Sequence, residues 1–329
     1  MYKSFYNLTR NPFDLTPDPT CFVPTTRHNE ALAALYYGVR RHKGVVVVTG
    51  EVGTGKTLLL RCLLRLFKES EAIAYAYLFN CRLSPLEFLY YTLTDFGIQN
   101  SGKNKSKLLL DLSRFVTSRG LKGLTTVLIV DEAHHLSTEL LEEIRLLSNL
   151  ETNDDKLLQI VLVGQPELDE KLDSFELRPL KQRIALRAHL APLDAEEAQR
   201  YIEERLRIAG ADVHSTPLFS RQTIAEVYRH SQGFPRLINT ICENALITAY
   251  ARQLPSVTSD IIREVAEELR LGVICSPDMN GLGNHGELDT ERARSLLLDL
   301  YSTLQRPSRS SSGLDASLAH ETSEHESNI

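Results

Sequence analysis

Cysteines and long apolar runs are scarce in this chain of 329 residues. The five cysteines are odd in number and include no CxxC pair, which argues against a disulfide framework and a zinc ribbon and predicts reduced thiols in the cytoplasm. The longest compact apolar run, Gly44 to Thr49, has the length of a strand, far below the roughly 20 residues that span a bilayer. The first residues show no secretion-signal pattern. We therefore expect no membrane insertion by this chain.

An excess of basic charge is also missing, because the formal net charge is -6. Residues 1–150 carry 18 basic and 14 acidic side chains, and the acidic excess lies in the rest of the chain. A protein that coats nucleic acid non-specifically needs an overall basic surface, so that class is disfavoured. A local basic patch that binds DNA stays open.

Short apolar runs alternate with helical patterns up to residue 190, and this alternation predicts an α/β domain with a parallel sheet. Continuous β-branched runs are typical of strands buried on both faces. The predicted strands are Val45–Thr49, Ile73–Phe79, Val127–Val130, Leu157–Val163 and Ile184–Leu190.

From Asp194 the strand patterns stop and four helical patterns follow, up to Leu271. We therefore predict three parts. Residues 1–193 form the sheet domain with an N-terminal linker segment, 194–271 form a small helical domain, and 272–329 form an appendage. The appendage contains one amphipathic pattern, Glu287–Leu304, and a Ser-, Glu- and His-rich end. That end has too few apolar residues to offset the entropy of ordering, so we predict disorder there.

A glycine-rich motif, GEVGTGKT at residues 50–57, lies between the first predicted strand and a helix-forming segment. It matches GxxxxGK[ST], the phosphate-binding P-loop, in the structural context that this motif requires. Glycines let the backbone amides turn towards phosphate oxygens; Lys56 is predicted to contact the β- and γ-phosphates and Thr57 to bind Mg²⁺. The predicted nucleotide-binding residues here are Gly50, Glu51, Val52, Gly53, Thr54, Gly55, Lys56, Thr57 and Leu58.

Two carboxylates directly follow the predicted strand Val127–Val130. A carboxylate at the end of a strand beside a P-loop holds Mg²⁺ directly or through water, and this assigns Asp131 as a metal ligand. The next residue, Glu132, is predicted to polarise the attacking water as the catalytic base. An acidic pair at the start of a loop is a common solvated feature, but the P-loop upstream favours the functional interpretation.

His134 and His135 follow these carboxylates without HExxH spacing or a cysteine partner. A zinc site is therefore disfavoured, and a role in positioning the loop, or simple solvation, is favoured. Gln165 follows the strand Leu157–Val163. We predict that this strand lies between the P-loop strand and that of Asp131, so that Gln165 senses the γ-phosphate or the attacking water. A plain Gly-Gln-Pro turn is the alternative.

Four arginines complete the candidate site. Arg178, Arg183 and Arg187 lie near the last predicted strand, and Arg236 lies at the start of a helix in the helical domain. Arginine neutralises charge on a transferring phosphoryl group and can act across a subunit boundary as a finger. Most arginines are solvated surface charges, so only the positions of these four in the sequence favour a role in the site.

Together these motifs resemble those of AAA+ ATPases. The resemblance is to the general secretion pathway protein A (ExeA-type) family, whose near relatives include exosortase-locus and transposition-helper ATPases. It covers about residues 1–270. The segments that carry it are, in order, MYKSFYNLTRNPFDLTPDP, GEVGTGKT, LIVDEAHHL, VLVGQPEL, LKQRIALRAHLAPL, YIEERLRIAG and GFPRLINTICENAL.

The resemblance implies an αβα sheet domain with a helical lid, ATP and Mg²⁺ at their junction, and a homo-oligomer that completes the site. It implies that Gln165 is sensor 1 and Arg236 is sensor 2. Arg183 best matches the arginine-finger position, and Arg178 is the alternative. The segment NPFDLTPDP is expected to lie over the adenine.

Secretion-type members of the family carry a transmembrane helix and a periplasmic peptidoglycan-binding domain after the ATPase. Residues 272–329 contain neither pattern, so the resemblance is to the ATPase module. We expect a cytoplasmic protein that reaches the inner membrane only through partners.

Three functions stay open at this point. The first is a Mg²⁺-dependent ATPase that acts as a switch in the assembly of a larger secretion or cell-envelope machine, with an unidentified protein client. The second is a DNA-associated helper ATPase of transposition or replication initiation. The third is a nucleotide-loaded scaffold that rarely hydrolyses ATP.

Overall fold

The computed structural model describes residues 2–79, 81–99, 104–152, 155–212 and 217–271. The amphipathic helix and the disordered tail expected after residue 271 lie outside this range. Among the helices of the described residues, none is long and apolar enough to cross a bilayer.

Five parallel strands form one sheet: β1 (Val45–Gly50), β2 (Ile73–Leu78), β3 (Thr125–Val130), β4 (Leu158–Gly164) and β5 (Ile184–Leu190). Their order in the sheet is β2-β3-β4-β1-β5, which confirms the predicted α/β fold. β4 therefore lies between β1 and β3. Because all strands are parallel, their carboxyl ends share one edge, where ligands bind in open α/β sheets.

The sequence of each strand matches its place in the sheet. All residues of β1, β3 and β4 are buried, because these central strands are covered on both faces. β5 lies at an edge and alternates half-buried with exposed residues. Burial on both faces explains the continuous apolar runs in the sequence, and the exposure of one face at the edge of the sheet explains the alternating run.

Helices cover both faces of the sheet, as expected of an αβα domain. Leu35 and Leu63 pack with Val48 on one face, and Phe88 and Leu112 lie in the core on the other. Three short helices of this part, Tyr2–Phe5, Glu167–Leu172 and Arg178–Lys181, were not predicted. The helices up to β5 are α1 (Tyr2–Phe5), α2 (Thr26–Arg40), α3 (Lys56–Lys68), α4 (Pro85–Asp95), α5 (Lys105–Gly120), α6 (Thr138–Leu147), α7 (Glu167–Leu172) and α8 (Arg178–Lys181).

A second core follows β5 and is built from four helices, α9 (Ala195–Ile208), α10 (Arg221–Ser231), α11 (Pro235–Ala251) and α12 (Ser259–Glu268). Its first helix begins with a capping box, in which the Asp194 side chain accepts from the Glu197 backbone N–H at 2.7 Å. A capped helix start of this kind follows from the sequence. These are the four helices predicted after Asp194.

The first residues of the chain pack into this helical core. Tyr2, Tyr6, Leu8 and Phe13 are buried in it, and the Tyr2 hydroxyl donates to both carboxylate oxygens of Glu243, at 2.9 and 2.8 Å. The division predicted from sequence gives residues 1–193 to the sheet domain with an N-terminal linker segment, and in the structure this segment packs against the helical core. The segment has no helical or strand periodicity that could have identified its packing partner.

Arg205 on α9 holds the same segment. Its buried guanidinium donates to the carbonyl oxygens of Pro12 at 2.6 Å, Asp14 at 3.2 Å and Cys21 at 3.2 Å. A buried charge is costly unless hydrogen bonds satisfy it, and here backbone carbonyls do so. These hydrogen bonds therefore hold the N-terminal segment against the helical part.

A glycine joins the helical part to the end of the sheet part. The Leu193 backbone N–H donates to the Gly233 carbonyl at 2.9 Å. Gly233 has a φ of 76°, and a Cβ on it would lie 1.9 Å from the Leu193 carbonyl oxygen. Only glycine fits this joint, which places the start of α11 beside the carboxyl edge of the sheet.

Candidate nucleotide-binding site

Residues 51–55 form the loop between β1, which ends at Gly50, and α3. Gly53 and Gly55 have φ values of 85° and 100°, in the left-handed region that favours glycine. A Cβ on Gly50 would lie 2.5 Å from the Leu190 carbonyl oxygen, so β5 leaves no room for a side chain there. The first turn of α3 has no side-chain cap. Its free amides and the helix dipole therefore favour an anion at this loop.

Lys56 is buried at the start of α3, and its Nζ donates to the carbonyl oxygens of Gly50 at 2.7 Å and Glu51 at 2.9 Å. An ammonium has three protons, so one donor position is not used by these bonds. Burial lowers the pKa of Lys56, and the nearby carboxylates of Glu132 and Asp131 act in the opposite direction. The ammonium thus lies among oxygen atoms of both predicted motifs.

The other loop residues differ in exposure. Thr54 is buried, and its hydroxyl donates to the Glu51 carbonyl at 2.8 Å. Thr57 and Leu58 are half-buried. Val52 is 54% exposed, so it presents its side chain outside the loop.

Asp131 ends the β3 segment and is 4% exposed. Its Oδ2 accepts from the Tyr77 hydroxyl at 2.9 Å and its Oδ1 accepts from the Glu132 backbone N–H at 2.9 Å. The Cys81 thiol donates to the Asp131 carbonyl oxygen at 2.9 Å. Burial raises the pKa of Asp131, while the Tyr77 hydrogen bond acts to lower it. Tyr77 thus positions this carboxylate and Cys81 holds the backbone of the same residue, and neither was identified from the sequence.

Glu132 follows in an unusual conformation. Its φ is 54°, in the left-handed region, which costs on the order of 1 kcal/mol for a residue other than glycine. Within the described part of the chain, its buried Oε2 has no hydrogen-bond partner. Local strain and an unsatisfied buried acceptor are features that cluster at functional sites.

His134 lies between Glu132 and Gln165. Its Nε2 is 3.0 Å from the Gln165 side-chain nitrogen, and its Nδ1 is 3.4 Å from Glu132 Oε2. Burial lowers the pKa of His134, and the charge of His135 lowers it further. A Cβ on Gly164 would lie 3.1 Å from the His134 backbone nitrogen, so a small residue at the end of β4 permits the close approach. His135 is exposed.

These groups fit a nucleotide with Mg²⁺. The loop glycines, the uncapped α3 amides and the remaining donor of Lys56 suit phosphate oxygens. The Thr57 hydroxyl and the Asp131 carboxylate are the oxygen ligands that Mg²⁺ prefers. The unpartnered Oε2 of Glu132 provides an acceptor for a water proton.

Arg236 lies beside the P-loop. It is the second residue of α11, and its backbone N–H donates to the Gly53 carbonyl at 3.2 Å. A Cβ on Gly53 would lie 3.1 Å from Arg236 Cβ, while the Arg236 residue is exposed. The helical part therefore contacts the loop here, and the sensor 2 role of Arg236 stays a prediction.

The candidate finger arginines lie apart from the P-loop. Arg183 donates to the Arg145 carbonyl at 3.3 Å, to Ser148 Oγ at 3.0 Å and to Asn149 Oδ1, all at the carboxyl end of α6. Arg178 is exposed.

Near them, Arg187 forms an ion pair with Asp169 at 2.9 Å. Among the described residues, Arg183 and Arg187 thus contact α6 and α7 and make no hydrogen bond to the P-loop, so the structure does not show them at the predicted site within one chain.

His28 on α2 was missed by sequence reasoning. Its Nε2 is 2.9 Å from the Thr54 carbonyl oxygen and its Nδ1 is 2.7 Å from Thr25 Oγ1. A Cβ on Gly55 would lie 2.9 Å from His28 Nε2. His28 thus supports the P-loop from outside the motif. The one available signal was Thr25, which caps α2 three residues before His28.

Comparison with known proteins agrees with this geometry. Residues 39–172 match the AAA domain family. Over 253 residues, 77% of the chain, the sequence is 43% identical to general secretion pathway protein A of Aeromonas hydrophila. The matched region is 45% of that protein, so the chain spans less than half of this relative.

A more distant relative is the ATP-dependent target DNA activator B of Escherichia phage Mu, 27% identical over 78% of this chain and 76% of that protein. Among solved structures, the fold is similar to the ORC2 protein of Aeropyrum pernix, with a TM-score of 0.58 and 18% identity over 79% of this chain and 71% of that one. It is also similar to Cdc6p of Pyrobaculum aerophilum, with a TM-score of 0.60 and 17% identity over 78% and 70% of the two chains. The chain is therefore a member of the AAA+ family, as its motifs predicted.

Proposed function

We propose that this protein binds ATP together with Mg²⁺ at the carboxyl edge of the sheet and hydrolyses it to ADP and phosphate. The observation that carries the proposal is the convergence of three groups: Lys56 in the loop after β1, Asp131 after β3, and the unpartnered Oε2 of Glu132. Membership of the AAA+ family supports it.

The binding roles follow from the donors and acceptors of the site. The loop amides and Lys56 bind the β- and γ-phosphates, while Thr57 and Asp131 hold the metal ion. Bound there, Mg²⁺ neutralises negative charge on the phosphate oxygens. Tyr77 keeps the Asp131 carboxylate in place, and Cys81 holds the Asp131 backbone carbonyl.

Hydrolysis requires a base and an oriented water. Glu132 accepts a proton from the water while the water oxygen bonds to the γ-phosphorus and the bond to the bridging oxygen breaks. The Glu132 Oε2 has no competing hydrogen bond within the described residues. Gln165, held next to Glu132 by His134, orients the water or contacts the γ-phosphate.

A second copy of the chain completes the site. Arg183, with Arg178 as the alternative, supplies positive charge to the γ-phosphate of a neighbouring subunit, and Arg236 contacts the phosphates from the helical lid. Arg183 contacts the end of α6 within its own chain, and this supports a role for it at a neighbouring subunit. ATP hydrolysis then weakens the contact between subunits.

We place this ATPase in the assembly of a secretion or cell-envelope machine, where it acts on a protein client. The 43% identity to general secretion pathway protein A over 77% of the chain supports this placement. The trapped variant Glu132→Gln should retain its client in a pull-down with ATP and release it with ADP.

Two variants and one control test the ATPase site. Lys56→Ala should bind ATP weakly, because its phosphate contact is lost. Glu132→Gln should bind ATP normally and lose about 10²-fold or more of the steady-state phosphate release, since the base is missing. Glu139→Gln changes an exposed carboxylate of α6 and should behave as wild type.

Undiminished turnover in both site variants would contradict the assignment of these residues. A wild-type protein that binds ATP but releases no phosphate, at any protein concentration and with Mg²⁺ present, would favour the nucleotide-loaded scaffold instead.

A DNA-associated helper ATPase is the second candidate. The 27% identity to the target DNA activator of phage Mu, over 76% of that protein, favours it. A gel-shift titration with ATP and with ADP at low salt decides between the two. Retardation that depends on ATP and falls with salt supports DNA binding, and no retardation at low salt removes this candidate.

A further inference from the structure

The His134 imidazole contacts both residues to which hydrolysis is assigned. It is 7% exposed, with one ring nitrogen facing the Gln165 amide and the other facing the Glu132 carboxylate. Because the ring lies between Glu132 and Gln165, a change at one side chain can affect the other without direct contact between them.

The backbone around His134 holds the ring in this place. Lys171 on α7 donates its Nζ to the carbonyl oxygens of His134 and, at 3.0 Å, of Leu136. On the other side, Gly164 lies so close that a Cβ there would be 3.1 Å from the His134 nitrogen. The imidazole is thus fixed in position, and its protonation pattern is the property that can change.

The hydrogen-bond chemistry selects one tautomer. An amide nitrogen can only donate, so the His134 Nε2 that lies 3.0 Å from the Gln165 nitrogen accepts. The ring proton of a neutral imidazole then lies on Nδ1, 3.4 Å from Glu132 Oε2. The Gln165 backbone N–H also lies 3.4 Å from Nδ1 and competes with Glu132 for this nitrogen, because an Nδ1 that carries the ring proton cannot accept from it.

We propose that His134 is a positioning residue that couples the orientation of the Gln165 amide to the Glu132 carboxylate through its ring tautomer. This inference rests on the proposed function, in which Glu132 is the base and Gln165 senses the γ-phosphate. When the Gln165 amide donates to Nε2, Nδ1–H faces Glu132 and directs its carboxylate. When the amide turns its oxygen to the ring, the proton moves to Nε2, Nδ1 accepts the Gln165 backbone N–H, and Glu132 is released.

The coupling can be measured without any turnover. Nitrogen-15 NMR of histidine-labelled protein at pH 8 distinguishes the two tautomers, and the His134 signal is assigned by its loss in His134→Asn. We expect Nδ1–H in the wild type and a shift to Nε2–H in Gln165→Leu, which removes the amide and keeps the backbone. The exposed His135 should be unchanged in the same spectra. The same tautomer in both proteins overturns the proposal.

Kinetics test the positioning role. His134→Ala should lower kcat about 10- to 100-fold through misplacement of Glu132, with the Kd for ATP changed by less than about threefold because no phosphate contact is lost. His134→Asn keeps an amide near the Nδ1 position and should recover most of kcat. The control variant His135→Ala should have the kcat of the wild type. Undiminished kcat in His134→Ala, or an equal loss in the Ala and Asn variants, overturns the proposal.

These outcomes are separate from those of the proposed function. If the wild type releases no phosphate, the ATPase assignment fails, while the NMR comparison still decides the coupling. If the wild type hydrolyses ATP and His134→Ala does so equally well, the ATPase assignment stands and the role of His134 falls.

Discussion

The sheet side and the helical side of the candidate site are built differently. On the sheet side, Lys56, Asp131 and His134 are buried and fixed by hydrogen bonds to neighbouring strands and turns. On the helical side, Arg236 contacts the loop through its backbone while the residue itself is exposed. One side is therefore pre-organised within a single chain. The other side is anchored at a joint and leaves its charged group accessible for a ligand or a second subunit.

The largest effect should come from breaking that joint. Gly233→Ala places a Cβ 1.9 Å from the Leu193 carbonyl oxygen, so the backbone must shift, and we expect the free energy of unfolding to fall by about 3 kcal/mol or more. Gly97→Ala is a matched control, because Gly97 has a φ of 73° with nothing within 4 Å. It isolates the cost of the positive φ, about 1 kcal/mol. Urea denaturation of both variants measures the difference, and equal losses would show that the joint is not strained.

Loosening the N-terminal segment should have the next largest effect. Arg205→Ala removes three hydrogen bonds to the Pro12, Asp14 and Cys21 carbonyls, and we expect a loss of about 2 to 3 kcal/mol. The segment should also become sensitive to limited proteolysis. Arg207→Ala on the same helix changes an exposed ion pair and should cost less than about 1 kcal/mol. Cleavage of both variants at the same rate would contradict a clasping role for Arg205.

The accessible arginine should affect the ligand and leave the fold intact. Arg236→Ala should lower ATP affinity about 10-fold, equivalent to about 1.4 kcal/mol, without a change in the melting temperature of the protein alone. Lys56→Ala should lower affinity further, since it removes the buried contact. Calorimetric titration with ATP measures both, and an Arg236→Ala affinity equal to that of the wild type would exclude the lid contact.

The smallest effect concerns His28 and pH. Burial lowers its pKa in the folded protein, so the folded state resists protonation and the unfolded state accepts the proton first. The free energy of unfolding should therefore fall as the pH drops below about 6.5 and level off below the folded pKa, with a slope of at most about 1.4 kcal/mol per pH unit. His28→Gln should reduce this slope, and His135→Gln, which alters an exposed ring, should keep it. An unchanged slope in His28→Gln would contradict the assignment.

The sequence predicted the parts of the molecule whose pattern is local. The continuous apolar runs gave β1, β3 and β4, and the P-loop motif gave the loop at Gly50 to Thr57, because glycines and strand periodicity act over a few residues. The place of β4 between β1 and β3 followed from motif logic, whereas the places of β2 and β5 were not predicted. Element ends moved by a few residues, as at Leu157, which lies just outside β4.

Contacts between distant segments could not be predicted in this way. Tyr77 on β2 binds Asp131 across 54 positions of sequence, and His28 supports the P-loop from a different helix. Neither residue stands in a motif, since their roles arise only when strands and helices pack. The candidate finger arginines were selected by their position, and the role proposed for them depends on a neighbouring chain. The sequence alone left Arg183 and Arg178 as alternatives.

The packing of the first residues into the helical core constrains how the chain folds. Tyr2 finds its partner Glu243 only after 241 further positions have been synthesised. The sheet part lies earlier in the chain, so its strands and helices have partners on the growing chain before the helical core is complete. Closing the helical core is a long-range step whose rate is limited by bringing the two segments together. On the ribosome, the aromatic side chains of residues 2–13 therefore lack their packing partners until the helical core has been synthesised.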